Sequence, residues 1–344
     1  MNILNKKKKH TYIIAEVGIN HNGSLKNCIK LIKAGAKSGV DAVKFQNWLV
    51  DDFITDKKQI FSYKSKGRLK KESFYNLCKR NELKKSWIKE LNACCKAEGV
   101  DFMSTPTSND GIDELKKFKL KYIKNGSDYL TNLELIKHMA KNFKKIILST
   151  GMSYEEDIAL AIKAIRSLKK NNEIILLHCT SMYPTTLQNI NLNRMTTIKN
   201  KFKLTIGFSD HTLGREASIQ AVTLGAEYLE KHITLNHNME GPDHWFSLDP
   251  DELKKYVEKV REAEISLGQF SIVPAKDEMK NLKEQRLSVF SNQTIKKGEK
   301  LKIEHIDFKK PGTGIKPNKI YSFLGKKLKR KIKANTVLKL KNFI

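Results

Sequence analysis

The sequence predicts an α/β fold, a (β/α)8 TIM barrel followed by a small β-rich domain. Short β-rich runs alternate with longer amphipathic runs over most of the chain, which is typical of a parallel sheet covered by helices. Eight such units fit the usual length of a closed barrel. A doubly wound open sheet is the alternative, and it is disfavoured because no Gly-x-Gly-x-x-Gly run follows the first strand.

Each predicted strand is a short run with an apolar body. In chain order these runs are Tyr12–Glu16, Ala42–Phe45, Asp101–Met103, Lys121–Lys124, Lys145–Leu148, Glu173–Leu177, Leu204–Ile206 and Glu227–Glu230. The spacing of apolar residues predicts helices at about 25–38, 83–98, 111–118, 132–140, 155–168, 215–224 and 250–267. Two segments fit neither pattern, a charged excursion at about 51–80 and a looser segment that ends near residue 200.

The chain changes character after the eighth unit. We expect the barrel to occupy residues 1–268, a polar, Lys-rich linker residues 269–285, and a second domain residues 286–344. Short β-like runs, Ser288–Phe290 and Val337–Leu340, and turn signals such as Lys310–Gly314 predict that this domain is β-rich. Its small size predicts that it docks on another surface.

The net charge of +28 is compatible with a polyanionic partner. However, only eight of the 65 basic residues are arginines, and the lysines are scattered along the chain. No zinc-finger, basic-zipper or RNA-recognition pattern accompanies them. We therefore expect no nucleic-acid partner, and a non-catalytic basic polyanion-binding protein is the alternative from another class.

The sequence also indicates the cellular compartment of the protein. No apolar stretch approaches the ~18 residues of a membrane span, and no apolar region follows the basic start. The five cysteines form no Cys-x-x-Cys pair. We expect a cytoplasmic protein with reduced thiols and no membrane partner.

Polar or ionisable residues follow every predicted strand. Because the active sites of parallel barrels lie at the carboxyl ends of the strands, this distribution predicts a functional site there. These residues are Glu16 with Asn20–Asn22, Lys44 with Gln46, Ser104–Thr105, Lys124 with Ser127, Ser149–Thr150, His178 with Thr180–Ser181, Ser209–His211 and Glu230–His232.

Two of these residues, His211 and His232, follow the seventh and eighth strands. Neighbouring parallel strands lie ~4.8 Å apart, so both imidazoles can point into one mouth. Two imidazoles with acids nearby suit a divalent transition metal that keeps open positions for water. Asp210, Asp243 and Glu16 are candidate groups beside the metal or the substrate.

Two lysines, Lys44 and Lys124, also end strands, next to Ser104, Thr105, Ser127, Ser149 and Ser209. Lysines with hydroxyls and loop amides can hold a phosphate and a carboxylate on one small molecule. A Schiff-base lysine is the alternative chemistry for either residue. The histidine pair disfavours it, because a metal would polarise the same carbonyl.

Together these motifs resemble the sialic acid synthase family over nearly the whole chain. The C-terminal part resembles the antifreeze-like (SAF) domain of that family, through Arg286–Ser288, Ile295–Glu299 and Lys310–Ile315. The barrel motifs that carry the resemblance are Ala15–Gly23, Val43–Gln46, Ser104–Pro106, Ser149–Met152, His178–Pro184, Gly207–Thr212, Glu230–His232 and Glu240–His244.

The resemblance implies a metal-dependent condensation of phosphoenolpyruvate with an N-acylated mannosamine-type sugar, giving a nine-carbon sialic-acid-like 2-keto acid and phosphate. It implies a domain-swapped homodimer in which Arg286 reaches the partner's substrate, and a divalent metal, usually Mn²⁺ with Mg²⁺ or Co²⁺ as alternatives, on His211 and His232. Lys44, Thr105, Lys124, Ser127, Ser149 and Ser209 match phosphoenolpyruvate-binding positions, and Glu16, Tyr183 and Asp243 match positions around the sugar. We expect Glu16, Lys44 and Asp210 to be the catalytic residues.

Two positions depart from the usual family pattern. Tyr129 stands where the family usually has an acid, with Asp128 one place earlier, and Ser181 replaces an asparagine common in N-acetylneuraminate enzymes. The run Gly241–His244 favours a neuraminate- or legionaminate-type acceptor. Another phosphoenolpyruvate-dependent keto-sugar-acid synthase is the alternative within this class, and an ice- or glycan-binding role is the alternative for the SAF domain.

Overall fold

The computed structural model describes residues 10–344, which form two compact units. The first unit ends at Gly268, and the second runs from Gln269 to Ile344. No helix in this part of the chain is both long and apolar enough to cross a membrane.

The first unit contains ten strands and ten α-helices among its described residues. The strands are β1 Tyr12–Glu16, β2 Ala42–Asn47, β3 Ile60–Ser65, β4 Arg68–Ser73, β5 Asp101–Pro106, β6 Ile123–Asn125, β7 Lys145–Ser149, β8 Glu173–Cys179, β9 Thr205–Asp210 and β10 Tyr228–His232. The helices are α1 Leu25–Ser38, α2 Phe74–Arg80, α3 Ile88–Ala97, α4 Asn109–Lys116, α5 Leu133–Asn142, α6 Glu155–Arg166, α7 Leu187–Ile190, α8 Asn193–Phe202, α9 Glu216–Thr223 and α10 Pro250–Ser266.

Eight of these strands form one parallel sheet in the order β5-β2-β1-β10-β9-β8-β7-β6. The two ends of this order, β5 and β6, also lie beside each other, so the sheet curls into a near-closed barrel. This confirms the predicted fold class. All eight predicted strands are present, and most extend one to four residues further at their carboxyl ends.

Local sequence signals set the ends of the helices. The hydroxyl of Ser24 accepts a hydrogen bond from the Asn27 amide and caps α1, which ends at Gly39 with φ of 85°. At α10, Asp249 and Glu252 form a reciprocal capping box and Pro250 occupies the first turn. These caps explain why both helices were predictable from the sequence.

The barrel has two apolar layers, one on each side of the sheet. Inside, residues such as Ile14, Met103, Ile147 and Leu177 pack together. Outside, the other face of each strand packs against the helices in a larger core. Because alternate residues of a strand point to opposite faces, strand parity decides which polar side chains can reach the interior.

Two segments contain more structure than the sequence predicted. The charged excursion forms an antiparallel hairpin, β3 with β4, followed by α2. The looser segment contains α7 and α8. Each of these elements has at most two buried residues, so apolar periodicity gave little signal. They are Tyr63 and Ser65 in β3, Leu77 and Cys78 in α2, Ile190 in α7, and Met195 and Ile198 in α8.

The second unit has its own apolar core, built around Val289, Ile320, Leu328 and Leu338. Its strands β11 Ser288–Ser291 and β12 Ile306–Lys309 pair in an antiparallel sheet. The predicted run Val337–Leu340 contributes an isolated bridge from Val337 to Phe290 and backbone hydrogen bonds of Leu338 with Val289 and Ile315.

The residues predicted as a linker belong to this second unit and contain helix α11, Glu278–Gln285. The carbonyl of Lys283 in α11 accepts a hydrogen bond of 2.9 Å from the Gly312 amide. This contact joins α11 to the turn that follows β12.

A buried ion pair joins β9 and β10 on the outer face of the barrel. Lys231 Nζ lies 3.1 Å from Asp210 Oδ2, and both side chains are almost completely buried. The Asp210 carboxylate also accepts hydrogen bonds from the hydroxyls of Thr212 and Ser218. Removing one partner of such a pair leaves an uncompensated charge in the core.

We therefore expect Lys231→Met to lower the free energy of unfolding by about 3–5 kcal/mol. The matched control is Lys259→Met, which removes the exposed Lys259–Glu262 pair on α10 and should change stability by less than about 1 kcal/mol. Urea unfolding followed by circular dichroism measures both. Equal stability of the two variants would contradict a structural role for the Lys231–Asp210 pair.

Candidate functional site

A cavity of about 590 Å³ opens at the carboxyl ends of the barrel strands. This volume lies within the usual range for small-molecule sites. The floor of the cavity is formed by inward-pointing residues at the strand ends, and its walls are formed by the loops that follow. The sequence places the site at this end of the barrel, and the cavity lies there.

Strand register gathers the floor residues into one layer. In the parallel ladders, Glu16 pairs with Lys44, Cys179 with Ser209, and Ser209 with Glu230. Four of these residues follow a residue of the inner apolar layer two positions earlier in the strand, namely Ile14, Ala42, Leu177 and Tyr228, and Ser209 follows Gly207. The charged and polar groups therefore form a layer directly above the apolar interior of the barrel.

Lys44 lies at the centre of a buried ion network. Its Nζ is 2.8 Å from Glu16 Oε2 and 3.7 Å from Glu230 Oε2, and it donates a hydrogen bond of 3.1 Å to Thr105 Oγ1. The Gln46 amide donates a hydrogen bond of 2.6 Å to the other oxygen of Glu16. This arrangement leaves Lys44 charged and fixed in position.

Lys124 extends the network from β6, two strands away from Lys44. Its Nζ donates a hydrogen bond of 2.6 Å to Ser149 Oγ and lies 3.9 Å from Glu230 Oε1. The Ser209 hydroxyl donates to the same Glu230 oxygen over 3.0 Å. Two lysines and two carboxylates thus share a small buried volume with three hydroxyl groups, those of Thr105, Ser149 and Ser209.

Burial and charge separate the pKa values of these groups. Burial opposes the charge of Glu230, but Lys124 and Lys44 outweigh it and lower the pKa of Glu230 to about 2. Burial dominates at Glu16 and raises its pKa despite the neighbouring Lys44. Burial also lowers the pKa of Lys124, whereas the two carboxylates outweigh burial at Lys44 and raise its pKa. One carboxylate is thereby suited to hold charge and the other to exchange a proton.

The two histidines lie side by side above this floor, with ring centroids 5.5 Å apart. His211 Nδ1 donates a hydrogen bond of 2.9 Å to the Thr180 carbonyl, which leaves the lone pair on Nε2. Buried His232 Nδ1 has no hydrogen-bond partner among residues 10–344 and lies 3.8 Å from Asp243 Oδ2. Burial and the nearby His211 hold the pKa of His232 well below its usual range, so this imidazole is neutral.

A second group of potential metal ligands, His237, Asp249 and Glu252, lies at the start of α10. Its carboxylates already serve the capping box, and His237 Nε2 lies 2.8 Å from Glu252 Oε2. These contacts account for the group as a helix cap.

Close backbone approach positions two hydroxyls at the rim. Ser127 Oγ accepts a hydrogen bond of 3.1 Å from the Gly151 amide. A Cβ atom at Gly151 would lie 2.3 Å from Ser181 Oγ and 2.7 Å from Ser127 Oγ, so a larger residue would displace both hydroxyls. Above them, the ring of Tyr183 packs against His211 with centroids 4.2 Å apart.

Most of the site residues predicted from the sequence line this cavity. They are Glu16, Lys44, Thr105, Lys124, Ser127, Ser149, Tyr183, Ser209, His211, His232 and Asp243. Arg286 lies in the second unit, directly after α11, so its predicted approach to a substrate stays a prediction.

Asp210 does not line the cavity, which corrects the catalytic role predicted for it. Ser209 precedes it in β9 and points inward, so Asp210 points outward to Lys231, Thr212 and Ser218. Its role is to hold the barrel to its helices. Strand parity was the signal in the sequence that separates these two neighbours.

Two groups of cavity residues were given no role in the sequence analysis. Glu230, named there only as a strand-end residue, and Cys179 have inward parity and lie beside the predicted residues, so the parity argument would have assigned both to the site. Cys179 Sγ lies 3.8 Å from His211 Nδ1. The second group, here called the apolar wall, comprises Trp48, Phe53, Phe61, Phe74 and Leu77 from the segment after β2.

The fold and the cavity define this chain as a (β/α)8-barrel protein with a buried, charged pocket at the carboxyl ends of its strands. The chain belongs to the NeuB family, whose profile matches residues 31–271. The SAF domain profile matches residues 286–344.

Named relatives cover nearly the whole chain. It is 40% identical over 319 residues to an N,N'-diacetyllegionaminic acid synthase of Campylobacter jejuni, covering 92% of this chain and 96% of that protein. It is 30% identical to the human N-acetylneuraminate-9-phosphate synthase, over 92% of this chain and 88% of that protein. The crystal structure of an N-acetylneuraminic acid synthetase from Leptospira borgpetersenii in complex with citrate matches with a TM-score of 0.71 at 29% identity, over 80% of this chain and 91% of that one.

The floor network predicts unequal effects for its two lysines. We expect Lys44→Met to lower the free energy of unfolding by about 3–5 kcal/mol, because it leaves the buried carboxylates of Glu16 and Glu230 without their central cation. Lys124→Met should cost at least about 1 kcal/mol less, because burial already disfavours the charge of Lys124. Denaturant unfolding at neutral pH measures the difference. Equal losses, or the reverse order, would contradict the central position of Lys44.

Proposed function

We propose that this cavity condenses phosphoenolpyruvate with the open-chain aldehyde of an N-acylated mannosamine-type sugar. The products are a nine-carbon sialic-acid-like 2-keto acid and phosphate. The observation that carries the proposal is the floor, where buried Lys44 and Lys124 with their hydroxyls face two imidazoles. Membership of the NeuB family and the names of its synthase relatives support this reaction.

The floor suits a small dianionic substrate. Lys44, Lys124 and the hydroxyls of Thr105, Ser149 and Ser209 offer charge-assisted hydrogen bonds to a phosphate and a carboxylate. Ser127 adds a hydroxyl at the rim. Held by groups on rigid strand ends, phosphoenolpyruvate would keep its C3 directed at an aldehyde above it.

The histidine pair fits a divalent metal. A metal would take up the lone pair of His211 Nε2 and a nitrogen of His232, whose buried Nδ1 otherwise has no partner among the described residues. We propose Mn²⁺, with Mg²⁺ or Co²⁺ as alternatives. When bound, such an ion supplies Lewis-acid polarisation of a carbonyl oxygen.

Glu16 is the proposed general base. Its raised pKa and its position beside Lys44 suit a carboxylate that accepts a proton. Carbon–carbon bond formation from C3 to the aldehyde leaves C2 electron-poor. Glu16 then takes a proton from the water that adds to C2, and this proton balances the one taken up by the aldehyde oxygen as it becomes a hydroxyl group. The tetrahedral adduct loses phosphate by C–O cleavage, and the leaving phosphate accepts the proton of the C2 hydroxyl as the keto group forms.

Tyr183 and Asp243 are proposed to orient the sugar. Tyr183 covers His211, and Asp243 lies 3.8 Å from His232. Both side chains therefore stand where the aldehyde end of an acceptor would lie. Each offers a hydrogen bond to a sugar hydroxyl.

The first test is phosphate release from phosphoenolpyruvate with N-acylated mannose-type sugars and Mn²⁺. We expect turnover that a chelator abolishes, and we expect His232→Ala to lower both Mn²⁺ affinity and turnover by at least about a hundredfold. The matched control is His237→Ala, which alters the helix-cap group and should leave both unchanged. Calorimetric titration with Mn²⁺ gives a readout besides activity. Turnover that resists the chelator, or equal Mn²⁺ affinity in the two variants, would reject the metal assignment.

The proposal includes a homodimer in which Arg286 of one protomer serves the cavity of the other. Arg286→Ala and Glu16→Gln should each be inactive alone. Mixed under conditions that allow exchange of protomers, they should recover about a quarter of wild-type activity, because half of the dimers carry one intact site. No recovery despite demonstrated exchange would reject the arrangement in trans, and full activity of Glu16→Gln would reject its role as the base.

A further inference from the structure

The loop after β7, here called the β7 loop, comprises residues 150–154 and joins the floor residue Ser149 to helix α6. Apolar packing does little to hold its outer half. Met152 and Tyr154 are 66% and 83% exposed, and Met152 has a φ of 55°, in the left-handed region that non-glycine residues rarely adopt. The outer half of the loop therefore depends on hydrogen bonds to keep its conformation.

Arg194 supplies two of these hydrogen bonds from the first turn of helix α8. Its Nη2 donates over 2.9 Å to the carbonyl of Thr150 and over 2.5 Å to the carbonyl of Ser153. Because this nitrogen carries two hydrogens, each carbonyl can receive its own. The next residue of α8, Met195, is completely buried in the core, so the guanidinium reaches the loop from an anchored helix.

The bond to the Thr150 carbonyl fixes the peptide group between Thr150 and Gly151. In a trans peptide group the carbonyl and the N–H point in opposite directions. Since the carbonyl is held towards α8, the N–H of Gly151 is directed to the other side, where it donates a hydrogen bond of 3.1 Å to Ser127 Oγ. Arg194 and Ser127 therefore bind the two ends of one peptide group.

The bond from Gly151 determines how the hydroxyl of Ser127, which lines the cavity, can act. A serine hydroxyl has one proton to donate and two lone pairs that accept. Because the Gly151 N–H occupies a lone pair, the hydroxyl proton can be donated to an oxygen of a ligand in the cavity. A carbonyl bound by a cation also polarises its peptide group, which strengthens the hydrogen bond that the N–H donates.

We infer that Arg194 is a positioning residue for phosphoenolpyruvate, because it holds the β7 loop so that Ser127 directs its proton at an anionic group of that substrate. Arg194 is not part of the cavity lining and acts through the peptide group of Gly151 and the hydroxyl of Ser127. The inference gives a role in the site to α8, a helix that the sequence pattern did not predict. It rests on the proposed condensation and adds a residue that serves one of its two substrates.

The first test measures binding of phosphoenolpyruvate to the full chain by calorimetric titration without a sugar, and then KM and kcat with a sugar. We expect Arg194→Met to raise the Kd and the KM for phosphoenolpyruvate about tenfold and to change kcat and the KM for the sugar by less than about twofold. Arg194→Lys keeps the charge and should lie between wild type and Arg194→Met. The matched control is Arg166→Met, which removes an exposed arginine of α6 and should leave all four constants unchanged.

The outcomes separate this inference from the proposed function. Wild-type affinity for phosphoenolpyruvate in both Arg194 variants would overturn the inference and leave the proposed reaction intact. If Arg194→Met does not fold, wild-type affinity in Arg194→Lys alone would overturn it. Failure of the wild-type protein to bind phosphoenolpyruvate would instead count against the proposed function.

A double-mutant cycle with Ser127→Ala distinguishes positioning from a purely structural role. Ser127→Ala alone should weaken phosphoenolpyruvate binding about tenfold, because it removes the hydroxyl through which Arg194 acts. Adding Arg194→Met to Ser127→Ala should then weaken binding by less than about threefold more. A purely structural role of Arg194 predicts that the two losses multiply to about a hundredfold. Losses that multiply in this way would overturn the inference.

Discussion

The pairing of Lys44 with Glu16 and Glu230 is the interaction on which the site depends. Four charged side chains in one buried layer would be unfavourable unless each met a partner of opposite sign. The register of the strands supplies one such pair directly, because it aligns Glu16 with Lys44. Lys44 and Lys124 reach Glu230 from other strands, and its register neighbour Ser209 donates a hydrogen bond to it. The same contacts separate the pKa values of the two carboxylates, and so one layer both stabilises the floor and prepares it for chemistry.

Strand parity organises everything around this layer. Inward positions carry apolar residues in the body of each strand and polar residues at its carboxyl end. Outward positions face the helices. Cys179 and Ser209 point into the cavity, whereas their neighbours His178 and Asp210 point outward, His178 to the carbonyl of Ile190 and Asp210 to Lys231. A residue's place in the strand, rather than its chemical type, decides whether it belongs to the site or to the packing of the barrel.

The loops add an aromatic side to a cavity whose floor is charged. The hairpin after β2 brings aromatic side chains to one side of the cavity, and Ser65 fixes it to the loop that carries Asp243. This side of the cavity therefore depends on two loops that are far apart in the chain and joined by the hydrogen bond from Gly241 to Ser65. A change in either loop would alter the other, because they share this contact.

The sequence by itself determined the eight strands, seven of the barrel helices, the position of the cavity at the carboxyl ends of the strands and many of the residues that line it. It could do so because buried strands need short apolar runs. An ionisable group directly after such a run is unfavourable in the apolar core, so it indicates the end of the strand. The caps of α1 and α10 are also local signals, because each is formed by residues close together in the chain. The hairpin and α8 carry few buried residues and were therefore not visible in the pattern.

The tertiary structure alone decided which members of the site meet. Asp210 and Ser209 are adjacent in the chain, yet only Ser209 reaches the floor, and Glu230 acquires its low pKa from lysines that are distant in sequence. The apolar wall needed the hairpin to fold against the loop after β10 before its aromatic residues had a common surface. Contacts between residues far apart in the chain leave no periodic signal, so their geometry had to come from the folded molecule.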